Sequence, residues 1–274
     1  MLELVEATIL AEQLNKTIRG KKVKNVAVAH SPHKFAFFYE DPAQYPSLLV
    51  GKEAGTAKVY GGYVEISFGD STLLFNDGVA LRYHDKNEKR PIKHQLFLEF
   101  EDMSSISASV QMYGGIFCFM NGEFDNSYYN VAKEKPSPVS EDFDEAYFDS
   151  ILLVPGMEKL SAKAFLATQQ RIPGLGNGTL QDILYNTGIH PKRKISTLDK
   201  GDTDRLFKSI KNTLTEMIRL GGRDTEKDLF DSNGGYLTKL SKNTVGRPCP
   251  KCGTVIQKEA YLGGSIYYCK GCQK

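Results

Sequence analysis

The stretch Gln170-Arg-Ile-Pro-Gly-Leu-Gly-Asn-Gly-Thr-Leu-Gln-Asp-Ile-Leu-Tyr-Asn-Thr-Gly-Ile-His-Pro191 decides how the chain is read. A helical pattern ends near Arg171, a Pro-Gly-x-Gly-Asn turn follows, and a second helix begins near Asn177. Glycines at 174 and 176 let such a turn approach a ligand closely. Free N–H groups at the new helix start, with the Asn177 amide, form a seat for phosphate. Gly174-x-Gly176-x-Gly178 imitates a nucleotide fingerprint, but no strand precedes it, so that reading is set aside. A helix, a glycine turn and a helix is how helix-turn-helix modules grip DNA; an ordinary helical hairpin is the other reading.

Upstream the period of the sequence changes. A helical pattern (Leu4, Ala7, Ile9, Leu10, Leu14, Ile18) stops at Gly20. Short β-rich runs follow at 23–29, 53–59, 63–68, 72–75, 95–100, 105–110 and 116–120, divided by Gly, Asp or Asn turns, as in a sandwich or barrel. Residues 132–141, with Pro136 and Pro138, read as a linker, and helical patterns occupy 143–153, 161–170, 179–187 and 202–220. The expected architecture is α+β and multidomain. It comprises a β-sandwich domain with a leading helix (1–131), a linker (132–141), a helical domain (142–240) and a cysteine-bearing hairpin (241–274).

The hairpin rests on Cys249-Pro-Lys-Cys252 and Cys269-Lys-Gly-Cys272, a C-x2-C-x16-C-x2-C pattern. Two tight turns, each presenting two thiolates, give Zn²⁺ four tetrahedral sulfurs and no open position, so one structural zinc ion is expected. Two disulfides are the competing reading, but nothing else suggests secretion. Cys118, inside the apolar run Ile116–Met120, reads as core.

The chain has 274 residues, 41% hydrophobic and 25% charged, which excludes disordered and collagen-like classes and suffices for more than one core. No apolar run is long enough for a membrane span, and the first residues carry acids where a signal peptide carries bases. A soluble, cytoplasmic, nonmembrane protein is therefore expected, nucleoid-associated if bacterial. The net charge of +2 advertises no partner by itself. Its distribution does: residues 241–274 hold six basic groups against Glu259, and Lys192-Arg193-Lys194 form a second cluster. These are a footprint for phosphate or simply solvated loops.

In order along the chain, Met1-Leu-Glu-Leu-Val-Glu6, Ile172-Pro-Gly-Leu-Gly-Asn177 through His190-Pro191, Gly221-Gly222, Gly234-Gly235-Tyr236-Leu237 and the closing zinc finger resemble the formamidopyrimidine-DNA glycosylase and endonuclease VIII family of base-excision repair. The resemblance implies a helix-two-turn-helix domain and a monomer acting on double-stranded damaged DNA. In the family an N-terminal proline attacks C1′ of the damaged nucleotide, and here Leu2 holds that place. Met1 is expected to stay, which sets a free amine one residue, about 3.5 Å, out of position and puts AP lyase activity in question. The hairpin lysine falls near Gly61-Gly62, the zinc-finger arginine aligns with Gly264, and the helical-domain glutamate corresponds to Asp182. By the same resemblance Met1, Leu2, Glu3 and Glu6 stand at the catalytic place, and Lys163, Gly174, Gly176, Asn177 and Asp182 at the DNA-binding one. Read without it, Glu3 and Glu6 are acids of a helix's first turn.

Two functions are therefore open. One is a glycosylase hydrolysing the N-glycosidic bond of an everted damaged nucleotide, with Glu3 as acid or as activator of water. The other is a non-catalytic reader of damaged, kinked or abasic DNA. Asn76-Asp77-Gly78 and Gln111-Met112-Tyr113 are candidate wedges or plain turn and core residues. His30-Ser-Pro-His33-Lys34, beside Phe35, Phe37, Phe38 and Tyr39, reads as a loop and a strand with a candidate place at the lesion pocket.

Overall fold

A computed structural model describes residues 1–274. The leading helix α1 (Leu4–Thr17) buries Ala7, Leu10, Ala11 and Leu14 and ends just before Gly20, whose φ of +82° suits a residue without Cβ. Nine strands follow: β1 (Val23–Val28), β2 (Ala36–Phe38), β3 (Ala57–Tyr60), β4 (Tyr63–Phe68), β5 (Ser71–Phe75), β6 (Val79–His84), β7 (Leu96–Phe100), β8 (Ser105–Val110) and β9 (Gly114–Met120). A short helix, α2 (Tyr45–Leu49), interrupts them. They form a four-stranded sheet in the order β1-β7-β8-β6 and a five-stranded sheet in the order β2-β9-β5-β4-β3. All pairs are antiparallel except β2 with β9. The inward faces share a core built on Ile66, Phe68, Leu73, Phe75, Leu81, Leu96, Leu98, Phe100 and Ile106, and Cys118 lies in it as expected.

Helices α3 (Ser127–Glu134), α4 (Glu145–Leu152), α5 (Ala162–Ala167), α6 (Thr179–Thr187) and α7 (Lys200–Arg219) carry the second half. Asp199 caps α7 by a reciprocal box with Asp202, and Asn126, Asp144 and Ser161 cap α3, α4 and α5. A separate core gathers Phe143, Phe148, Phe165, Leu180, Ile183, Leu206, Ile210 and Leu214. Leu4 and Val5 belong to this core while Leu2 and Ala7 belong to the sandwich, so the first turn of α1 bridges the two. The C-terminal hairpin β10 (Gln257–Tyr261) and β11 (Gly264–Tyr268) turns at Leu262-Gly263 and packs Ile256 and the buried cysteines against Tyr185 of α6.

The fold class is the one expected, and several boundaries move. The first three residues of the expected linker, Ala132 to Glu134, complete α3. The helix before the glycine turn stops at Ala167, because Gln169 and Gln170 take left-handed φ values of +56° and +48°, whereas the next spans Thr179–Thr187 as its pattern marks. The expected strand at 53–59 begins only at Ala57, and β6 went unrecognised.

Candidate active site and nucleic-acid interface

The N-terminal segment lies where the two cores meet. Leu2 donates its backbone N–H to the Asp77 carbonyl and Leu4 donates to the Gly174 carbonyl at 2.8 Å, which lashes the first residues to the β5–β6 turn on one side and the glycine turn on the other. Leu2's side chain is 7% exposed and packs in the sandwich core. Position 2 therefore offers an amide and a buried hydrocarbon, and it is a packing residue rather than a reactive one. Met1, half-exposed, sets its ammonium 2.6 Å from Glu226 Oε2.

Glu3 is buried, and its carboxylate accepts from the Gly178 amide at 2.7 Å and the Thr179 amide at 2.8 Å. These are free amides of the α6 start, a place that favours negative charge. Burial alone would raise the Glu3 pKa, but the nearby Arg223 guanidinium and these two donors outweigh it and hold the carboxyl below its usual range. Glu6, one turn further, is gripped by Arg223 in a two-point fork, Nε to Oε1 at 2.8 Å and Nη2 to Oε2 at 2.7 Å. Arg223 Nη2 also lies 3.8 Å from Glu3 Oε2. Arg223 was not among the residues singled out from sequence; its only signal was a basic residue directly after Gly221-Gly222.

The glycines of the turn make room for protein rather than for phosphate. A Cβ on Gly176 would stand 2.4 Å from Glu3 Cδ, one on Gly178 1.6 Å from Arg223 Nη1, and one on Gly174, at φ +75°, 2.4 Å from the Gly61 carbonyl carbon. At the helix start, where free amides are expected, the Gly178 and Thr179 amides donate to Glu3. The lysine-free tip Gly61-Gly62 closes the same seam: a Cβ on Gly62 would meet the Leu2 carbonyl oxygen at 2.8 Å.

Asp182 and Lys163 also have partners within the protein. Asp182 has no exposed surface and accepts from the Lys239 and Leu240 amides at 2.9 and 2.8 Å, so it anchors the segment leading into the finger. Lys163 is buried, with Nζ donated to the Tyr261 carbonyl of the hairpin and its pKa lowered by burial. Asn177 is half-buried; its amide donates to the Ser265 carbonyl at 2.9 Å, and Gln181 joins the same carbonyl and the Tyr267 amide. Gly264 lies against this clasp, where a Cβ would stand at ordinary contact distance, 3.4 Å from Lys163 Nζ and 3.5 Å from Asn177 Nδ2. In the basic cluster Lys192 pairs with Glu259 and Arg193 with Asp202, which leaves Lys194 exposed.

A cleft of about 540 Å³ opens between the halves, lined among others by Met1, Glu6, Met112, Tyr113, Glu226 and Asn233. Met112 and Tyr113 are 66% and 42% exposed, so they are not core residues. The histidine cluster does not line this cleft; His30 stacks on His94 with ring centroids 4.5 Å apart.

The four sulfurs of Cys249, Cys252, Cys269 and Cys272 lie within 4.8 Å of one another, with Cys249–Cys272 at 3.7 Å and Cys252–Cys269 at 3.4 Å. Zinc–sulfur bonds of about 2.3 Å in a tetrahedron place sulfurs about 3.8 Å apart, so the donor set fits one zinc ion. No disulfide joins them. No helix is long and apolar enough to cross a membrane.

Comparison with known proteins places this geometry in context. A family model described as the formamidopyrimidine-DNA glycosylase H2TH domain matches residues 135–228. The chain is 26% identical over 282 residues to formamidopyrimidine-DNA glycosylase of Listeria innocua and 28% identical over 281 residues to that of Bacillus licheniformis, covering all of each chain. It is 31% identical to the Prochlorococcus marinus protein of that name over 195 residues, 69% of this chain and 65% of that protein. Among solved structures, the Lactococcus lactis Fpg complexed with abasic-site DNA superposes with a TM-score of 0.84 at 23% identity, over 99% of both chains. MutM (Fpg) of Thermus thermophilus superposes with a TM-score of 0.80 at 20% identity, over 99% of this chain and 98% of that one. The structural likenesses establish the fold.

Proposed function

Since the chain belongs to the formamidopyrimidine-DNA glycosylase and endonuclease VIII family, we propose that it is a DNA glycosylase of base-excision repair that hydrolyses the damaged base from duplex DNA without AP lyase chemistry. The observation that carries this reading is the pairing of a buried, ionised Glu3 with an unreactive Leu2. A Schiff base needs an amine facing C1′. Position 2 supplies an acylated nitrogen bonded to Asp77, and Met1's amine is held by Glu226.

A carboxylate held charged by two amides and a guanidinium is a proton acceptor, and of the two roles open to Glu3 it suits activation of water. The water oxygen bonds to C1′ as the bond from C1′ to the base nitrogen breaks. The bond's electron pair leaves on the base, which takes a proton from solvent, and the water's proton passes to Glu3. The Glu3 charge also stabilises the electron-poor sugar in between. Duplex DNA would lie across the cleft, with Met112 and Tyr113 as wedges beside the everted nucleotide and Asn177 at the clasp of turn and hairpin. Cys249, Cys252, Cys269 and Cys272 would hold one zinc ion, whose contribution is to fold the hairpin.

A second reading, a damage reader without chemistry, is favoured by the glycines at 61, 62 and 264, which leave the places of the family's lysine and arginine uncharged. One experiment separates the two. Purified protein is incubated with duplexes carrying an abasic site or a damaged base, with and without borohydride, and binding, base release and strand cleavage are scored separately. Base release without a trapped adduct supports the hydrolase, a trapped adduct restores the lyase, and lesion-selective binding with neither product selects the reader.

A further inference from the structure

Arg223 sits at the neck of a loop. Its carbonyl accepts from the Gly234 amide at 3.1 Å, the Asp224 amide donates to the Tyr236 carbonyl at 2.9 Å, and the Tyr236 amide donates to the Gly222 carbonyl at 2.9 Å. The neck has no slack, since a Cβ on Gly234 would fall 2.0 Å from the Gly222 carbonyl carbon. Beyond it, Asp224, Thr225, Glu226, Lys227 and Asn233 line the cleft. The Arg223 side chain points the other way. It is 3% exposed, forks Glu6 at 2.7 and 2.8 Å, and rests against the α6 start so closely that Gly178 has no room for a methyl group.

We propose that Arg223 is a positioning residue for base release: its guanidinium braces Glu6 and flanks Glu3, so that the orientation of the Glu3 carboxylate is tied to the seating of the loop 224–233 in the cleft. This rests on the reading of Glu3 as the base. The charged groups around Glu3 are Arg223 from the loop neck and Glu6 from α1. Glu226 adds its field to Arg223 and Glu6, and the Gly178 and Thr179 amides face Glu3 from α6. One guanidinium serves two carboxylates. Glu6 takes its two-point fork, and Glu3 receives the guanidinium's field together with the Gly178 and Thr179 amides, which keeps the Glu3 charge in place beside an electron-poor sugar.

The test compares wild type with Arg223→Gln, Arg223→Lys and Gly178→Ala in the full chain. It reads the Glu3 titration midpoint by carboxyl-carbon NMR and the pH dependence of single-turnover base release from a damaged duplex. In Arg223→Gln the midpoint should rise by about one pH unit or more, with the acidic limb of the rate moving equally. Release at neutral pH should fall roughly tenfold or more while duplex affinity changes less than about threefold. Arg223→Lys, which keeps the charge and loses the fork, should fall between. A purely packing role would lower stability and move neither the midpoint nor the limb, and that result overturns the proposal. If Arg223→Gln does not fold, Gly178→Ala, whose methyl group displaces the guanidinium without removing it, must raise the same midpoint; an unmoved midpoint overturns the proposal too. Absence of base release by wild type on every lesion overturns the glycosylase reading and the positioning role together, whereas release intact with an unmoved midpoint overturns Arg223's role alone.

Discussion

Replacing Asp182 by alanine distinguishes an anchor from a DNA contact. The carboxylate has no exposed surface and is the acceptor for the amides of Lys239 and Leu240. Removing it orphans two backbone donors, one on buried Leu240, at about 1–3 kcal/mol each. Part of this is returned, because burial pushes the Asp182 carboxyl above its usual range and its desolvation cost disappears with it. The net loss is about 2–4 kcal/mol, or a fall in Tm of roughly 5–15 °C for a chain of this size. Leu240 packs with Tyr185, Ile256, Cys249 and Cys269, so the loss should loosen the finger first and expose the segment around 239–241 to protease. Asp182→Asn keeps one acceptor and should lose about half as much. Thermal unfolding followed by circular dichroism gives the magnitude, and duplex affinity measured well below Tm should be unchanged. A variant with wild-type Tm and strongly reduced affinity would refute the anchor and return Asp182 to the DNA surface.

Chelating the metal, or Cys249→Ser, should unfold the hairpin and free Lys163 and Asn177 from their carbonyl partners, weakening duplex binding at least about tenfold; metal content and affinity are measured together. Asn177→Ala should loosen the clasp between the glycine turn and the hairpin and so weaken binding to damaged and undamaged duplexes of every sequence by the same factor, since the clasp touches no base, and a competition assay with mixed duplexes checks this. Gly61→Ala should cost about 1–3 kcal/mol in urea unfolding, because φ is +57° and the new methyl group would meet the Gly174 amide nitrogen at 2.8 Å. Glu3 contributes a pH dependence of definite sign. Its folded pKa is lowered from the usual 4.5, so its stabilisation is fully present above the unfolded value and is lost as pH falls through the folded one. Glu3→Gln should flatten that acidic loss in an unfolding series.

Local pattern made much of this molecule readable. Helix α6 occupies the residues its apolar period marks, and the cysteine spacing brings four sulfurs together because two tight turns need only local geometry. β6 was missed because Val79 and Leu81 alternate for only one period before Arg82 and His84. The site resisted for a different reason. Glu6 and Arg223 are 217 residues apart and Gly61 meets Gly174 backbone to backbone, so no spacing encodes either contact. Lys163 and Asp182 are placed at the DNA side by resemblance alone, and only the coordinates show Lys163 donating to the hairpin and Asp182 accepting from the loop before it. The resemblance in motif order gave the family, while the substitutions at Leu2, Gly61, Gly62 and Gly264 needed coordinates to acquire meaning, because what matters is which atoms fill the vacated volume.

In the proposed reaction Glu3 activates the water that cleaves the N-glycosidic bond, with no help from an amine at position 2. Its most direct test is single-turnover base release from a panel of damaged duplexes by wild type and Glu3→Gln, with duplex affinity measured on the same samples. The account predicts release by wild type from at least one lesion and loss of that release in Glu3→Gln with affinity retained. Undiminished release by Glu3→Gln, or lesion-selective binding by wild type without any release, would contradict it.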